Sequence, residues 1–151
     1  HNAIGKKCAE AGLKYGYHNH SGEFKKVEDQ VMIDYMIQNT DPQNVFFEMD
    51  VYWTVMGKAS PVEYFKKYPG RFKLLHIKDE FVIGESGKIN FEGIFKQFYK
   101  NGYKDFVVEI ETPRELRAAR GDAEAAKKTN EAMFEAAKKS AEYLQKAKFV
   151  K

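Results

Sequence analysis

A chain of 151 residues with 43% hydrophobic and 31% charged side chains suffices for one domain with a real core. Its net charge of +3 is interspersed along the sequence, which argues against nucleic acid as a partner, because duplex binders cluster basic residues on one face. The single cysteine, Cys8, excludes an intrachain disulfide. No apolar run nears the roughly 20 residues of a membrane helix, so the chain reads as soluble, with nothing to choose between cytoplasm and periplasm.

The chain opens in what reads as a helix already under way. Ile4, Cys8 and Ala11 fall at helical spacing, and Gly12 is a good stop. No initiator Met, signal peptide or strand precedes it, so a fragment is expected. Leu13–His20 follows as a Tyr-rich strand, with His18 and His20 on one face by alternation. Val27–Asn39 reads as a helix with Val27, Val31, Tyr35 and Met36 as its apolar stripe. Asp41-Pro42 marks a turn, Val45–Asp50 a strand, and Val51–Ala59 a loop. Ser60-Pro61-Val62-Glu63 is a strong helix start. Phe72–Ile77 is the third strand, 81–88 a loop, Phe91–Lys100 a helix and Phe106–Ile110 the fourth strand. Residues 111–121 form a charged loop. Asp122 caps a last helix to about Lys146, with Met133, Phe134, Ala137, Ala141 and Leu144 as its apolar face.

Alternating strands and helices with apolar strands predict an α/β fold with a parallel sheet. Four strands can form a small open sheet or half of an eight-stranded (β/α)8 barrel. The abrupt start favours the half-barrel.

Each strand ends in polar chemistry, and the C-terminal ends of parallel strands are where sites are built. Asp50, His76 and Glu109 close three successive strands at intervals of 26 and 33 residues, each about one strand–helix unit. Taken singly, an Asp there caps helices, a His is hydrogen-bonded structure and a Glu is solvated. Their recurrence at one layer points to a shared metal site. Two carboxylates and an imidazole suit Mn, Zn, Co or Fe better than Ca. Any fourth ligand comes from the first unit, where His18, His20 and Glu23 are the candidates.

The segments Tyr17-His-Asn-His-Ser-Gly-Glu-Phe24, Glu48-Met-Asp-Val-Tyr-Trp53, Gly70-Arg-Phe-Lys-Leu-Leu-His-Ile-Lys-Asp79 and Val107-Val-Glu-Ile-Glu111 resemble the sugar phosphate isomerase/epimerase family. That family has the xylose isomerase-like TIM barrel. The likeness spans almost the whole chain, in order, as the C-terminal half of such a barrel, about strands five to eight; residues 1–151 would be one partial barrel domain.

The resemblance implies one divalent metal ion held by Glu23, Asp50, His76 and Glu109. The family places Glu at the end of strand five, where this chain has His18. Glu23 is preferred because it restores three carboxylates and one His, and His18 is the alternative. The implied chemistry is proton transfer next to the carbonyl of a sugar or sugar phosphate through an enediolate. Glu109 is the first choice for one proton-transfer role, and His20 or Glu23 for the other. His18, Trp53 and Lys78 would contact substrate, with Tyr52 and Trp53 as an apolar wall. Lys78 pairing with Asp79 or Glu80 is the competing expectation. A keto-sugar lyase or dehydratase shares the first step, and a sugar-binding scaffold module would share only the fold. An endonuclease on this barrel would need more metal ligands than the chain offers. The expected partners are a small carbohydrate substrate and either the missing N-terminal half of the barrel or a second copy in a homodimer.

Overall fold

A computed structural model describes residues 1–119 and 121–151. Helix α1 (Asn2–Glu10) leads into strand β1 (Gly16–His18) and a 3-10 turn (Gly22–Phe24). A short hairpin, β2 (Lys26–Val27) and β3 (Gln30–Val31), precedes α2 (Met32–Gln38). Then come β4 (Phe46–Asp50), α3 (Val51–Met56), α4 (Pro61–Lys67), β5 (Phe72–Ile77), α5 (Phe91–Lys100), β6 (Phe106–Val108) and α6 (Ala123–Lys146). Strands β1, β4, β5 and β6 form one sheet in chain order, and every pair in it is parallel.

Strand alternation divides the sheet into two unlike faces. Phe47 and Met49 of β4 and Leu75 and Ile77 of β5 point to the helices. They meet Ile33 and Ile37 of α2, Phe65 of α4 and Ile94, Phe95 and Phe98 of α5 in one buried core. On the other face, Phe46 and Leu74 are only half-buried and Val107 is exposed. Sequential parallel strands with helices on one face are the architecture of a section of a TIM barrel, here four βα units. β1 and β6 are the two edges of the sheet.

Local sequence explains most boundaries. Ser60 accepts the Glu63 N–H at 3.4 Å, with Pro61 as the first helical residue. Asn90 caps α5 through Gly93, and Asp122 caps α6 through Ala125. Gly84 adopts φ +89°, and a Cβ there would lie 2.5 Å from the Tyr143 ring, so only glycine lets the 81–88 loop pass beneath α6.

Several expected elements differ. The 27–39 helix is a hairpin followed by a shorter helix: Lys26 and Val27 pair antiparallel with Val31 and Gln30, around a turn with Glu28 at φ +55°. The buried stripe of α2 is accordingly Ile33 and Ile37, and Tyr35 is exposed. The 51–59 loop contains α3, because the Asp50 carboxylate caps a helix there by accepting the Trp53 N–H at 2.8 Å. β1 and β6 are shorter than expected, although the Glu109 N–H still donates to the Ile77 carbonyl at 3.0 Å. In α1 the buried residue is Gly5, while Ile4 is exposed and Cys8 half-buried. In α6 the buried stripe is Ala136, Ser140 and Leu144, leaving Phe134 exposed. Residues Arg114–Leu116 form a 3-10 turn inside the predicted 111–121 loop, whose Arg120 lies outside the described residues. No helix among the described residues is long and apolar enough to cross a membrane.

Candidate metal centre

Register decides which strand-end side chains meet. His18 pairs with Glu48 and Asp50 with His76 across the parallel ladders. Because side chains two apart share a face, Glu48 and Asp50 of β4 and His76 of β5 all project away from the helices. Lys78 and Glu109, just beyond β5 and β6, continue the same pattern.

His18, Asp50 and His76 converge. Their ligand atoms lie within 4.8 Å of one another, the one such group of three among the described residues. His18 Nε2 stands 3.2 Å from Asp50 Oδ2 and 2.7 Å from His76 Nδ1, while Asp50 Oδ2 is 3.7 Å from His76 Nδ1. Asp50 is fully buried, and its other oxygen, Oδ1, is occupied by the Trp53 N–H. Its carboxylate is thus split between capping α3 and facing the two imidazoles.

Two further carboxylates border His76. Glu48 Oε1 is 3.5 Å from its Nδ1, and Glu109 Oε2 is 3.3 Å from its Nε2. Asp50 and Glu109 therefore flank opposite nitrogens of one ring. Hydrogen bonding to Asp50 raises the His18 pKa above the usual histidine value, and burial lowers that of His76.

Glu23 stands apart from this cluster. Its Oε1 accepts the Tyr17 hydroxyl at 2.7 Å and its Oε2 the His20 backbone N–H at 3.2 Å. Burial and this carboxylate push the Tyr17 hydroxyl up to about 12. His20 is exposed at the rim, 4.9 Å from the His18 ring and 5.7 Å from the Trp53 ring, centroid to centroid.

Lys78 is 2% exposed, and its Nζ donates to Glu109 at 3.1 Å and Glu111 at 2.6 Å, rather than to Asp79 or Glu80. Burial pulls its pKa down, but the two carboxylates outweigh burial and hold the ammonium charged. Lys78 in turn pulls the Glu111 carboxyl down, with Arg117 assisting at 2.7 Å. Asp79 accepts the backbone N–H groups of Glu80 and Gly84, which anchors the loop after β5. Tyr52, Trp53, Lys78, Glu111, Arg114 and Arg117 line a cleft of about 310 Å³ beside the cluster.

The donor set fits a transition-metal ion: two imidazole nitrogens and a carboxylate oxygen, with two more carboxylates adjoining. The 2.7 Å contact between the rings is a hydrogen bond from one ring's N–H to the other's lone pair, and an ion held by both nitrogens would replace that proton. His18, Asp50 and His76 would hold the ion, and Glu48 and Glu109 are within reach of the same ring. Glu48 and Glu111 were not singled out from sequence. The available signal was alternation, since each lies two residues from a chosen carboxylate.

A family model described as a xylose isomerase-like TIM barrel matches residues 2–146. The chain belongs to that family. Two structures of a sugar phosphate isomerase/epimerase from Parabacteroides distasonis ATCC 8503 superpose on it with TM-scores of 0.85 and 0.82. Each is 43% identical; the match covers 99% of this chain and 51% and 52% of theirs. Among curated relatives, inosose dehydratases from Clostridium botulinum (strain Alaska E43 / Type E3) and Clostridium beijerinckii are 28% and 26% identical over 130 residues. These matches cover 71% of this chain and 43% of theirs. The chain thus spans about half the length of its relatives, and its four strands are one section of the xylose isomerase-like barrel.

Proposed function

We propose that this section of barrel carries the metal-binding half of an enzyme that moves a proton at the carbon next to a carbonyl of a sugar or sugar phosphate. The observation that carries the reading is the convergence of His18, Asp50 and His76 from three adjacent strand ends. His18 takes the first ligand position in preference to Glu23, because Glu23 is engaged by Tyr17 and the His20 backbone.

A bound Mn, Zn, Co or Fe ion would polarise the substrate carbonyl and acidify the adjacent C–H. The protein groups do the rest. Asp50 is held by its cap to α3, so its free oxygen keeps one direction. Glu109 is 41% exposed at the site, where its carboxylate can take the proton from carbon, with Lys78 and His76 fixing its position. His20 at the rim would return a proton. Trp53 and Tyr52 offer ring faces to a sugar, and Lys78, Glu111 and Arg117 offer hydrogen bonds to its hydroxyls. Further barrel strands, from a companion half or a second copy, would cover the edges at β1 and β6.

Isomerisation or epimerisation is the leading outcome, supported by the likeness to the Parabacteroides enzyme. Dehydration is the second, favoured by the inosose dehydratases among the relatives. Both begin with the same deprotonation. The test is elemental analysis of wild type and His76→Ala, followed by keto-sugar exchange in D₂O monitored by proton NMR. About one equivalent of metal lost on mutation, with deuterium entering beside the carbonyl, is expected. No metal in either protein after reconstitution overturns the reading. Loss of water from the substrate would select the dehydratase outcome.

A further inference from the structure

Strand β4 runs two residues past its last ladder partner on β1. The β1–β4 register ends at His18 opposite Glu48, so at Asp50 the ladder has no peptide group left on that side. Asp50 is fully buried, and an unpaired backbone N–H and C=O there would be costly. The side chain of Asn19 fills the gap. Its Oδ1 accepts the Asp50 N–H at 3.2 Å, and its Nδ2 donates to the Asp50 carbonyl at 3.4 Å. The same Nδ2 donates to Thr54 Oγ1 at 3.1 Å, and Thr54 donates to the Asp50 carbonyl at 2.6 Å. Asn19 is itself fully buried.

We infer that Asn19 is a positioning residue: its carboxamide stands in for a missing peptide group and thereby fixes the backbone of Asp50, and with it the direction of the Asp50 carboxylate. A primary amide has one acceptor and two donors, the set these contacts use. Leu or Val would fill the space and satisfy none of them. Asp would keep the acceptor but turn a second oxygen towards the Asp50 carbonyl. The assembly ties β1, the end of β4 and α3 into one unit, so that the His18 ring and the Asp50 carboxylate are set by the same contacts. The inference rests on the proposed metal centre for its functional consequence, and on hydrogen-bond geometry alone for its structural one.

The experiment compares wild type, Asn19→Ala, Thr54→Val and the remote core control Ile94→Val. Co²⁺ affinity is measured by calorimetry well below each melting temperature. The metal-free proteins are compared by the imidazole ¹H–¹⁵N signals of His18 and His76. Asn19→Ala should bind Co²⁺ about 10- to 100-fold more weakly, the range for residues that orient metal ligands. Thr54→Val should move in the same direction by less, and Ile94→Val should lose stability only. The imidazole signals should shift in the first two variants and not in the control. A folded Asn19→Ala with wild-type affinity and unshifted imidazoles overturns the inference. If Asn19→Ala does not fold, Thr54→Val decides by the same two readouts. If wild type binds no Co²⁺, the metal reading fails, and the imidazole signals alone decide the role of Asn19.

Discussion

His18 Nε2 and His76 Nδ1 face each other at 2.7 Å across the ends of two strands that do not pair with one another. Strand β4 lies between them and contributes Asp50, so the contact spans three strands. One ring's N–H bridges the two nitrogens, and a metal ion bound by both would take that proton's place. The first prediction follows from who shares this point. His18→Ala, Asp50→Ala and His76→Ala should each weaken Co²⁺ or Zn²⁺ binding by more than about 100-fold, beyond the range for residues that only orient ligands. Glu23→Gln should leave affinity within a few-fold of wild type. Calorimetric titration of the four variants checks this, and a Glu23→Gln variant unable to bind metal would return Glu23 to the ligand set.

Tyr17 and Tyr64 set a prediction in alkaline solution. Burial, then the Glu23 carboxylate, pushes the Tyr17 hydroxyl up to about 12, and burial with Asp34 does the same for Tyr64. The unfolded value is 10.0, so the folded state holds these protons more tightly. Their contribution to stability is complete below pH 10 and is lost as pH rises from there through about 12. Absorbance titration of the phenolates should show late-ionising tyrosines in the native protein. Tyr17→Phe should remove one of them and flatten the stability loss over that window. Normal titration of every tyrosine would contradict the Tyr17–Glu23 contact.

The sheet was legible because its strands are apolar on the helix face and end in chemistry. Val45–Asp50 and Phe72–Ile77 were found almost to the residue. What stays hidden either has an ambiguous local signal or depends on tertiary contacts. The hairpin at 26–31 resembled a helix because Val27 and Val31 fall at helical spacing as well as across a tight turn. Helix α3 is masked in the sequence because its N-cap, Asp50, is also the last residue of a strand. The choice between Glu23 and His18 as first ligand turns on the register that pairs His18 with Glu48 and Asp50 with His76, a tertiary fact that a count of carboxylates does not supply. Asn19, between two histidines, carries no sequence signal, since a buried amide has no periodic signature.

Lys78 allows a third prediction. Lys78→Met removes a buried ammonium from between Glu109 and Glu111, each of which is more than two-fifths exposed. Those carboxylates keep access to water, so the cost should stay below the ~3–5 kcal/mol of breaking a fully buried pair. A loss of about 1.5–3 kcal/mol in urea unfolding is expected, the range for hydrogen bonds to charged groups. Metal affinity should fall only modestly, because Glu109 faces the far nitrogen of His76. A larger effect on affinity than on stability would make Glu109 a ligand held in place by Lys78.

The last prediction concerns the open edges. β1 and β6 have each one strand partner, and on β6 Val107 and Val108 are 45% and 42% exposed. On the face away from the helices, Phe46 and Leu74 line a hollow of about 390 Å³ at the N-terminal ends of the strands, together with Tyr15 and Tyr103. An unpaired parallel edge with apolar side chains on both faces is a template for association. Alone in solution, the 151-residue chain should therefore self-associate at micromolar concentration. Val108→Lys on the β6 edge should shift light scattering towards monomer, because an edge lysine opposes strand addition. The same substitution should leave Co²⁺ affinity unchanged, as the His18, Asp50 and His76 side chains of β1, β4 and β5 stay in place. A monodisperse monomer of the unaltered chain would mean that these strands cover their own edges.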